Sequence, residues 1–146
     1  MPKKTKKEIV VAVSGGFDPL HIGHVRMFEE AKKLGDKLIV IINSDDWLLR
    51  KKGFAFMAEK ERAEIIKALK PVDDVYIHHS KDHHVCGALK KIHPDIFANG
   101  GDRKNTEDIP EAELCKLLGI EMVFNVGKGG KVQSSSWLTA KVPPKK

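Results

Sequence analysis

The sequence is constrained most by short apolar runs that alternate with amphipathic segments of helical length. The run at 8–13 (EIVVAV) ends in a Ser-Gly-Gly turn, and a helical segment separates it from a second apolar run at 36–43. Strand, helix and strand in such close succession are typical of a right-handed parallel crossover. The same alternation continues along the rest of the chain. An open parallel sheet covered by helices is therefore the predicted fold.

Two helical segments show the apolar spacing most clearly. The first spans 23–35 and is predicted to end at Gly35 as its C-cap, and the second spans 58–70 before Pro71. A spacing of three or four places apolar residues on one face of a helix. The predicted inward residues are Val25, Phe28, Ala31 and Leu34 in the first helix, and Ile65, Ile66 and Leu69 in the second.

The remaining elements follow the same pattern. Further strands are predicted at 72–79, 95–100 and 120–127, and further helices at 84–93, 109–119 and 134–141, whereas 44–57 is interpreted as a loop. The chain then forms a single-domain, Rossmann-like α/β fold over residues 8–140, an open parallel sheet with helices on both faces. Residues 1–7 form a basic N-terminal tail and residues 141–146 a C-terminal tail.

Composition excludes several classes of protein. At 146 residues the chain suits one domain. Its apolar runs are strand-sized, so we predict no membrane span, and the lysine-rich start does not resemble a secretory signal. Cys86 and Cys115 are isolated, which favours reduced thiols and a cytoplasmic location.

The positive charge of the chain is concentrated at its ends. Without the seven lysines of the two tails, the net charge of +6 becomes −1. Aromatic residues make up only 6% of the chain and do not alternate with basic ones. We therefore expect no nucleic-acid partner.

Chemistry concentrates in SGGFDPLHIGH, at the carboxyl end of the first predicted strand. Gly15 and Gly16 would let the backbone approach a ligand, and Gly23 would leave room for a phosphate at the helix start. His21 and His24, three residues apart, can address the same anion. A metal site is a weaker interpretation because an HxxH pair needs a third ligand, and a plain capping role is the other alternative.

The stretch GGFDPLHIGH resembles the nucleotidyltransferase superfamily marked by the HxGH motif, and the cytidylyltransferases for glycerol phosphate, phosphocholine and phosphoethanolamine in particular. The resemblance implies a homodimer that uses Mg²⁺ with a nucleoside triphosphate. It makes His21 and His24 catalytic, and it assigns Phe17 to the nucleotide site and Asp18 to the substrate site. The pocket glycines implied to bind the nucleotide are Gly15, Gly16 and Gly23.

A second segment, KKGFAFMAEKERAEII, is similar to the Lys-Gly region of the same cytidylyltransferases. On that resemblance Lys52 is catalytic and meets the phosphates, and Arg62 contacts the substrate or orders the site. A Gly-flanked lysine can also close over a phosphorus on physical grounds. The alternatives are a solvated basic loop for Lys52 and a salt bridge of Arg62 with the region of Glu59 and Glu61.

Two later loops complete the resemblance. NGGDR is similar to base-proximal loops of heptose-phosphate adenylyltransferases and glycerol-phosphate cytidylyltransferases, and GGKVQSSSWL is similar to the family's hydroxyl-rich helix start. The nucleotide-binding residues implied are Gly101, Asp102, Ser134, Ser135 and Ser136. Cytidylyltransferases usually have an arginine where this chain has Gly129, flanked by Lys128 and Lys131, which departs from the pattern.

The predicted activity is cytidylyl transfer from CTP to a small phosphomonoester, an alcohol or sugar phosphate, with release of pyrophosphate. The alternatives are an ATP-dependent adenylyltransferase of a sugar phosphate, as in the heptose enzymes, and a noncatalytic nucleotide-binding module. No protein metal site is predicted. His78, His79, His83 and His84 lack acidic or cysteine neighbours at ligand spacing and are interpreted as loop residues.

Overall fold

The computed structural model describes residues 8–79, 85–100 and 111–126. Within these ranges the strands are β1 (Val10–Gly15), β2 (Lys37–Asn43), β3 (Asp74–His78), β4 (Ile96–Gly100) and β5 (Glu121–Val126). The helices are α1 (Ile22–Lys32), α2 (Asp45–Lys52), α3 (Glu59–Lys67), α4 (Cys86–Ile92) and α5 (Glu111–Leu118). The strands pair in parallel in the order β3-β2-β1-β4-β5. The predicted Rossmann-like fold is confirmed.

Both faces of the sheet are covered, as its apolar strands require. Val11 and Val13 of β1 point into one cluster, which packs against Phe28 of α1 and Ile66 of α3. Ala12, with the opposite orientation, joins the second cluster. That cluster's other buried members are Ile41, Val85, Ala88, Leu89, Phe97, Cys115 and Ile120. Helices α1 and α3 therefore lie on one face, and α4 and α5 on the other.

The first helix ends earlier than predicted. Its C-cap is Lys33, and Leu34 lies exposed in the following turn instead of on the buried face. Gly35 is not the cap. A Cβ atom at Gly35 would lie 2.8 Å from the carbonyl oxygen of Ile9, so this position needs glycine for the close approach of two chain segments.

Helix α3 is also shorter than predicted. It begins at Glu59 and has Ala68 as its C-cap. Ile66 is buried as expected, and Leu69 packs against the same cluster. Ile65 is exposed, and Arg62 takes the buried position one turn before Ile66. Apolar spacing alone did not predict an arginine on the inner face.

The interpretation of 44–57 as a loop is wrong, because α2 occupies most of it. Ser44 is the N-cap, and its Oγ accepts a hydrogen bond from the Trp47 N–H at 3.2 Å. Gly53 ends the helix in a left-handed conformation with φ 87°. Both features, and the two aspartates in the first turn, are helix boundary signals that the sequence contains.

The observed strand ends differ from the predicted ones by at most two residues. At the end of β1 the strand is longer than predicted. Ser14 and Gly15 continue β1 because they pair with Ile41 and Ile42 of β2. His78 is the last residue of β3 and is buried, so its interpretation as a loop residue is wrong. The helix predicted at 134–141 lies outside the described residues, as do His83 and His84. Across the described ranges, every helix is too short or too polar to span a membrane.

Candidate active site

The sheet order places a crevice beside β1. From β1 the chain proceeds to β2 and β3 on one side, and it later returns to form β4 and β5 on the other. Ligands bind in such open sheets at the carboxyl ends of the strands where this reversal occurs. Here those ends are Gly15 of β1 and Gly100 of β4. The loop that carries Gly101 and Asp102 lies outside the described residues.

The two histidines of the β1–α1 loop form a reciprocal cap at the start of α1. The Nδ1 atom of His21 accepts a hydrogen bond from the Gly23 N–H at 3.1 Å. The Nδ1 atom of His24 accepts one from the His21 N–H at 3.2 Å. The geometry is that of a capping box in which imidazoles replace the usual hydroxyl and carboxylate. His21 and His24 therefore both cap the helix, and they lie together at its start.

This cap fixes the tautomer of both rings. A ring nitrogen that accepts a hydrogen bond carries no proton, so His21 and His24 hold their protons on Nε2. The rings are stacked, with centroids 3.7 Å apart and planes inclined by 24°. Each ring thus directs its Nδ1 atom to the helix backbone and keeps an Nε2–H group as a donor. Two parallel donors of this kind suit a phosphoryl group.

Burial keeps the second histidine neutral. The pKa of His24 is lowered to about 3, first by burial and then by the neighbouring charge of His21. Phe17 contributes to this burial, since its ring meets the His24 ring edge-on at a centroid distance of 4.8 Å. Phe17 is itself buried and packs against Phe28. Phe17 therefore packs against His24 inside the protein, and its assignment to the nucleotide site stays a prediction.

Contacts within the protein account for the glycines of the loop. A Cβ atom at Gly15 would lie 2.9 Å from Cζ of Phe17, and one at Gly16 would lie 3.0 Å from Cδ2 of Leu48. A Cβ atom at Gly15 would require the Phe17 ring to move, and one at Gly16 would press against the end of the Leu48 side chain. The N–H group of Gly23 is used by the cap. Direct contacts of these three glycines with a nucleotide stay predictions.

Asp18 is buried and fixes a neighbouring segment. It is 1% exposed, and its two carboxylate oxygens accept hydrogen bonds from the backbone N–H groups of Phe56 and Met57. These bonds join the β1–α1 loop to the connection between α2 and α3, 38 and 39 residues away. Asp18 thus positions this connection, and its assignment to the substrate site stays a prediction.

Arg62 joins the same parts of the protein from inside. Its Nη1 atom donates to the carbonyl oxygens of Gly16 and Asn43, both at 2.7 Å, and its Nε atom donates to that of Met57 at 2.9 Å. Its Nη2 atom forms an ion pair with Asp45 at 2.8 Å, and the side chain is 0% exposed. Arg62 thus orders the site, as one of the sequence alternatives proposed, and its partner is Asp45 instead of the region of Glu59 and Glu61.

Glu59 pairs with a histidine that the sequence interpretation set aside. Its Oε2 atom lies 2.8 Å from Nε2 of His79, and its Oε1 atom accepts a hydrogen bond from the Asp45 N–H at 2.8 Å. Burial alone would raise the pKa of Glu59, but the Asp45 N–H and the His79 ring together lower it. His79 follows β3 at the carboxyl edge of the sheet. Only this edge location, known once the strand is placed, could have indicated it.

The other predicted residues are placed in part or not at all. Lys52 is the last residue of α2, so its backbone lies at a helix C-terminus, where a positive charge is favourable, and not in a free loop. Ser134, Ser135 and Ser136 lie outside the described residues. Within the ranges described, the His, Cys, Asp and Glu side chains form no cluster of three that could hold a metal ion.

Comparison with known proteins identifies the class that this fold and loop define. A family model described as cytidylyltransferase-like matches residues 12–123, which include most of β1, the histidine loop and most of the rest of the sheet. The chain therefore belongs to the cytidylyltransferase-like family of nucleotidyltransferases. The resemblance drawn from the HxGH motif is confirmed.

Individual proteins similar to this chain give a more specific comparison. The FAD synthase of Thermococcus onnurineus is 38% identical over 119 residues, which cover 80% of this chain and 77% of that protein. The FAD synthase of Ferroglobus placidus is 40% identical over 106 residues, which cover 73% and 68%. A solved structure described as a lipopolysaccharide core biosynthesis protein from Thermoplasma volcanium is 31% identical, with a TM-score of 0.68, and the match covers 83% of this chain and 98% of that one.

Proposed function

We propose that this nucleotidyltransferase transfers the adenylyl group of ATP to the phosphate of FMN, giving FAD and pyrophosphate. FAD consists of FMN joined to AMP through a phosphoanhydride bond, so a synthase of FAD in this family would catalyse this transfer. The names of the relatives favour the ATP-dependent alternative over the CTP-dependent activity that the sequence resemblance suggested.

The stacked histidine pair is the observation that carries the proposal. Nucleotidyl transfer develops negative charge on the oxygens around one phosphorus, and positioned donors stabilise that charge. His21 and His24 supply two Nε2–H donors whose direction is fixed by the cap. Since the low pKa of His24 keeps that ring neutral at physiological pH, it acts as a hydrogen-bond donor and not as a general acid.

The reaction proceeds by in-line displacement. An oxygen of the FMN phosphate attacks the α-phosphorus of ATP, the bond from that phosphorus to the bridging oxygen of the β-phosphate breaks, and pyrophosphate leaves. The Nε2–H groups of His21 and His24 donate to the α-phosphoryl oxygens. Arg62 and Asp18 hold the surrounding backbone, so the donors need little rearrangement in the transition state.

Further roles are proposed from the family resemblance. Lys52 adds positive charge near the phosphates, Ser134 to Ser136 hold the departing pyrophosphate, and Gly101 and Asp102 lie beside the base. The carboxylates of Asp18 and Asp45 accept hydrogen bonds from backbone N–H groups and from Arg62 respectively, and we propose no resident Mg²⁺ site on them. Mg²⁺ is proposed to enter as part of the Mg·ATP substrate, which is its common mode with nucleotides.

The test supplies purified protein with Mg²⁺, each of the four nucleoside triphosphates, and either FMN or a panel of sugar and alcohol phosphates. Pyrophosphate release and chromatographic detection of FAD are measured together. We expect ATP with FMN to give FAD and pyrophosphate in equal amounts. Pyrophosphate from CTP with an alcohol phosphate, and none from ATP with FMN, would contradict the proposal.

A sugar phosphate is the second candidate acceptor, because the solved relative is described as a lipopolysaccharide core biosynthesis protein. If the acceptor is a sugar phosphate, we expect pyrophosphate release from ATP with a sugar phosphate and not with FMN. A noncatalytic module would bind nucleotide and release none with any acceptor. The homodimer implied by the family resemblance is tested separately, by light scattering on the purified chain.

A further inference from the structure

The connection between α2 and α3, residues 53–58, carries two phenylalanine side chains that the fold leaves open to solvent. Phe54 is 40% exposed and Phe56 is 53% exposed. An aromatic side chain stabilises a fold mainly when its ring is buried, so these rings contribute less to folding than their size allows. Contact with a ligand or a partner is the other reason to place aromatic rings at a surface.

The backbone that carries these rings is fixed. The N–H groups of Phe56 and Met57 donate to the carboxylate of Asp18, and the carbonyl oxygen of Met57 accepts from Nε of Arg62 at 2.9 Å. Asp18 and Arg62 are both buried. Exposed rings on a backbone held by two buried charged groups differ from the side chains of an ordinary solvated turn, whose backbone is free to move.

The same bonds bring the backbone of this connection close to the loop that carries the two histidines. Asp18 precedes His21 by three residues, which span at most about 11 Å of chain. Arg62, which holds the carbonyl oxygen of Met57, also holds that of Gly16 at 2.7 Å. Ile22, the first residue of α1, adds another exposed apolar side chain at this end of the sheet. The backbone that carries the exposed rings therefore lies at the border of the site.

We infer that Phe54 and Phe56 form the acceptor subsite, where the isoalloxazine ring of FMN stacks while its phosphate reaches His21 and His24. The inference rests on the proposed transfer to FMN and extends it to the residues that select the acceptor. A flavin ring is flat and uncharged over most of its area, and offset or edge-on contacts with phenylalanine suit it. Its five-carbon ribityl chain separates the ring from the phosphate, so the ring and the phosphate can occupy different parts of the site.

The kinetic test compares wild-type protein with Phe56→Ala and Phe54→Ala at saturating Mg·ATP. We expect the KM for FMN to rise about tenfold in Phe56→Ala, the size of one lost stacking contact, and less in Phe54→Ala because that ring is less exposed. The kcat and the KM for ATP stay unchanged. Phe56→Trp keeps the wild-type KM for FMN, whereas Phe56→Leu, which is apolar but not aromatic, does not.

A binding test removes the dependence on turnover. Stacking on an aromatic side chain quenches flavin fluorescence, so FMN is titrated with each protein and its emission is followed. We expect quenching by wild type and by the control Leu117→Ala, and weak quenching by Phe56→Ala. Leu117 is a suitable control because it is 80% exposed on α5, which packs on the opposite face of the sheet. Thermal unfolding of each variant confirms that it is folded.

Three results would overturn the subsite. The first is an unchanged KM for FMN in both alanine variants while wild type makes FAD. The second is a rise in the KM for ATP equal to that for FMN in these variants. The third is a change in their oligomeric state with an unchanged KM for FMN. The proposed reaction fails in a different way, when wild-type protein forms no FAD. If FMN fluorescence is then still quenched by wild type and not by Phe56→Ala, the subsite stands without that reaction.

Discussion

The β1–α1 loop and the connection between α2 and α3 are both parts of the site, and they are held in different ways. The histidines of the first are fixed by hydrogen bonds between residues two or three positions apart. The second is held by Asp18, 38 residues away from Phe56, and by Arg62, which bonds the carbonyl oxygen of Met57 in this connection and that of Gly16, 46 residues away, in the first. The proposed donors for the phosphoryl group are thus held by local bonds, whereas the proposed acceptor wall also depends on bonds between distant segments.

This difference separates two kinds of damage. A substitution among the histidines removes chemistry but leaves most of the fold in place. A substitution at Arg62 or Asp18 loosens the fold and displaces the site with it. The predictions below measure stability and rate in the same variants, so that the two kinds can be told apart.

The largest effect on stability is expected from Arg62→Met. The variant leaves the carbonyl oxygens of Gly16, Asn43 and Met57 without their donor and Asp45 without its ion pair. Removing one partner from such a buried network costs about 3–5 kcal/mol of unfolding free energy. Chemical denaturation measures the loss, and Lys60→Met on the exposed side of α3 is the control. Equal stability of the two variants would mean that Arg62 does not hold the site together.

The largest effect on rate is expected from His21→Ala and His24→Ala. Loss of one positioned donor lowers kcat by about 10²–10³-fold. Because each ring also caps α1, stability falls by only about 1 kcal/mol. Steady-state FAD formation and denaturation are measured on the same preparations. His93→Asn is the control, since His93 is exposed and its left-handed backbone tolerates asparagine. A wild-type kcat in either alanine variant would remove that histidine from the mechanism.

Asp18→Asn tests the bridge between the two regions. Asparagine keeps one acceptor oxygen and faces the remaining backbone N–H with a donor, so one of the two bonds to Phe56 and Met57 is lost. We expect a loss of about 1.5–3 kcal/mol of unfolding free energy. The KM for FMN should rise more than the KM for ATP because the acceptor wall is released. A fall in stability with both KM values unchanged would mean that Asp18 does not position the acceptor wall.

The smallest effect is the pH dependence that His24 gives to stability. Its pKa is about 3 in the folded protein against 6.5 for the ordinary group, so between these values the unfolded chain binds a proton that the folded protein does not. Stability is therefore complete above pH 6.5 and falls as the pH decreases, by about 1 kcal/mol between pH 7.5 and 5.5. Unfolding free energies of wild type and His24→Asn are compared across this range. Asparagine keeps the cap acceptor without titrating, so parallel curves would contradict the assignment.

The order of the strands and helices and the role of the histidine loop could be predicted from the sequence because their causes are local. Apolar periodicity depends on neighbours within one or two turns, and a cap is formed by residues three apart. Helix α2 was missed although its cap residues are local. Among its described side chains only Leu48 is buried, so the apolar pattern of this helix is weak.

By itself the sequence determined the parallel α/β fold and the family, and it indicated the stretch in which we propose that the chemistry takes place. Only the tertiary structure decided what Arg62, Asp18, Phe17 and Glu59 do. An arginine on an amphipathic helix is predicted to face water. It lies inside here because its donors are satisfied by the nearby Met57 carbonyl oxygen and by three acceptors from distant segments. Such acceptors converge only after the strands are assembled, so no spacing in the chain could indicate them.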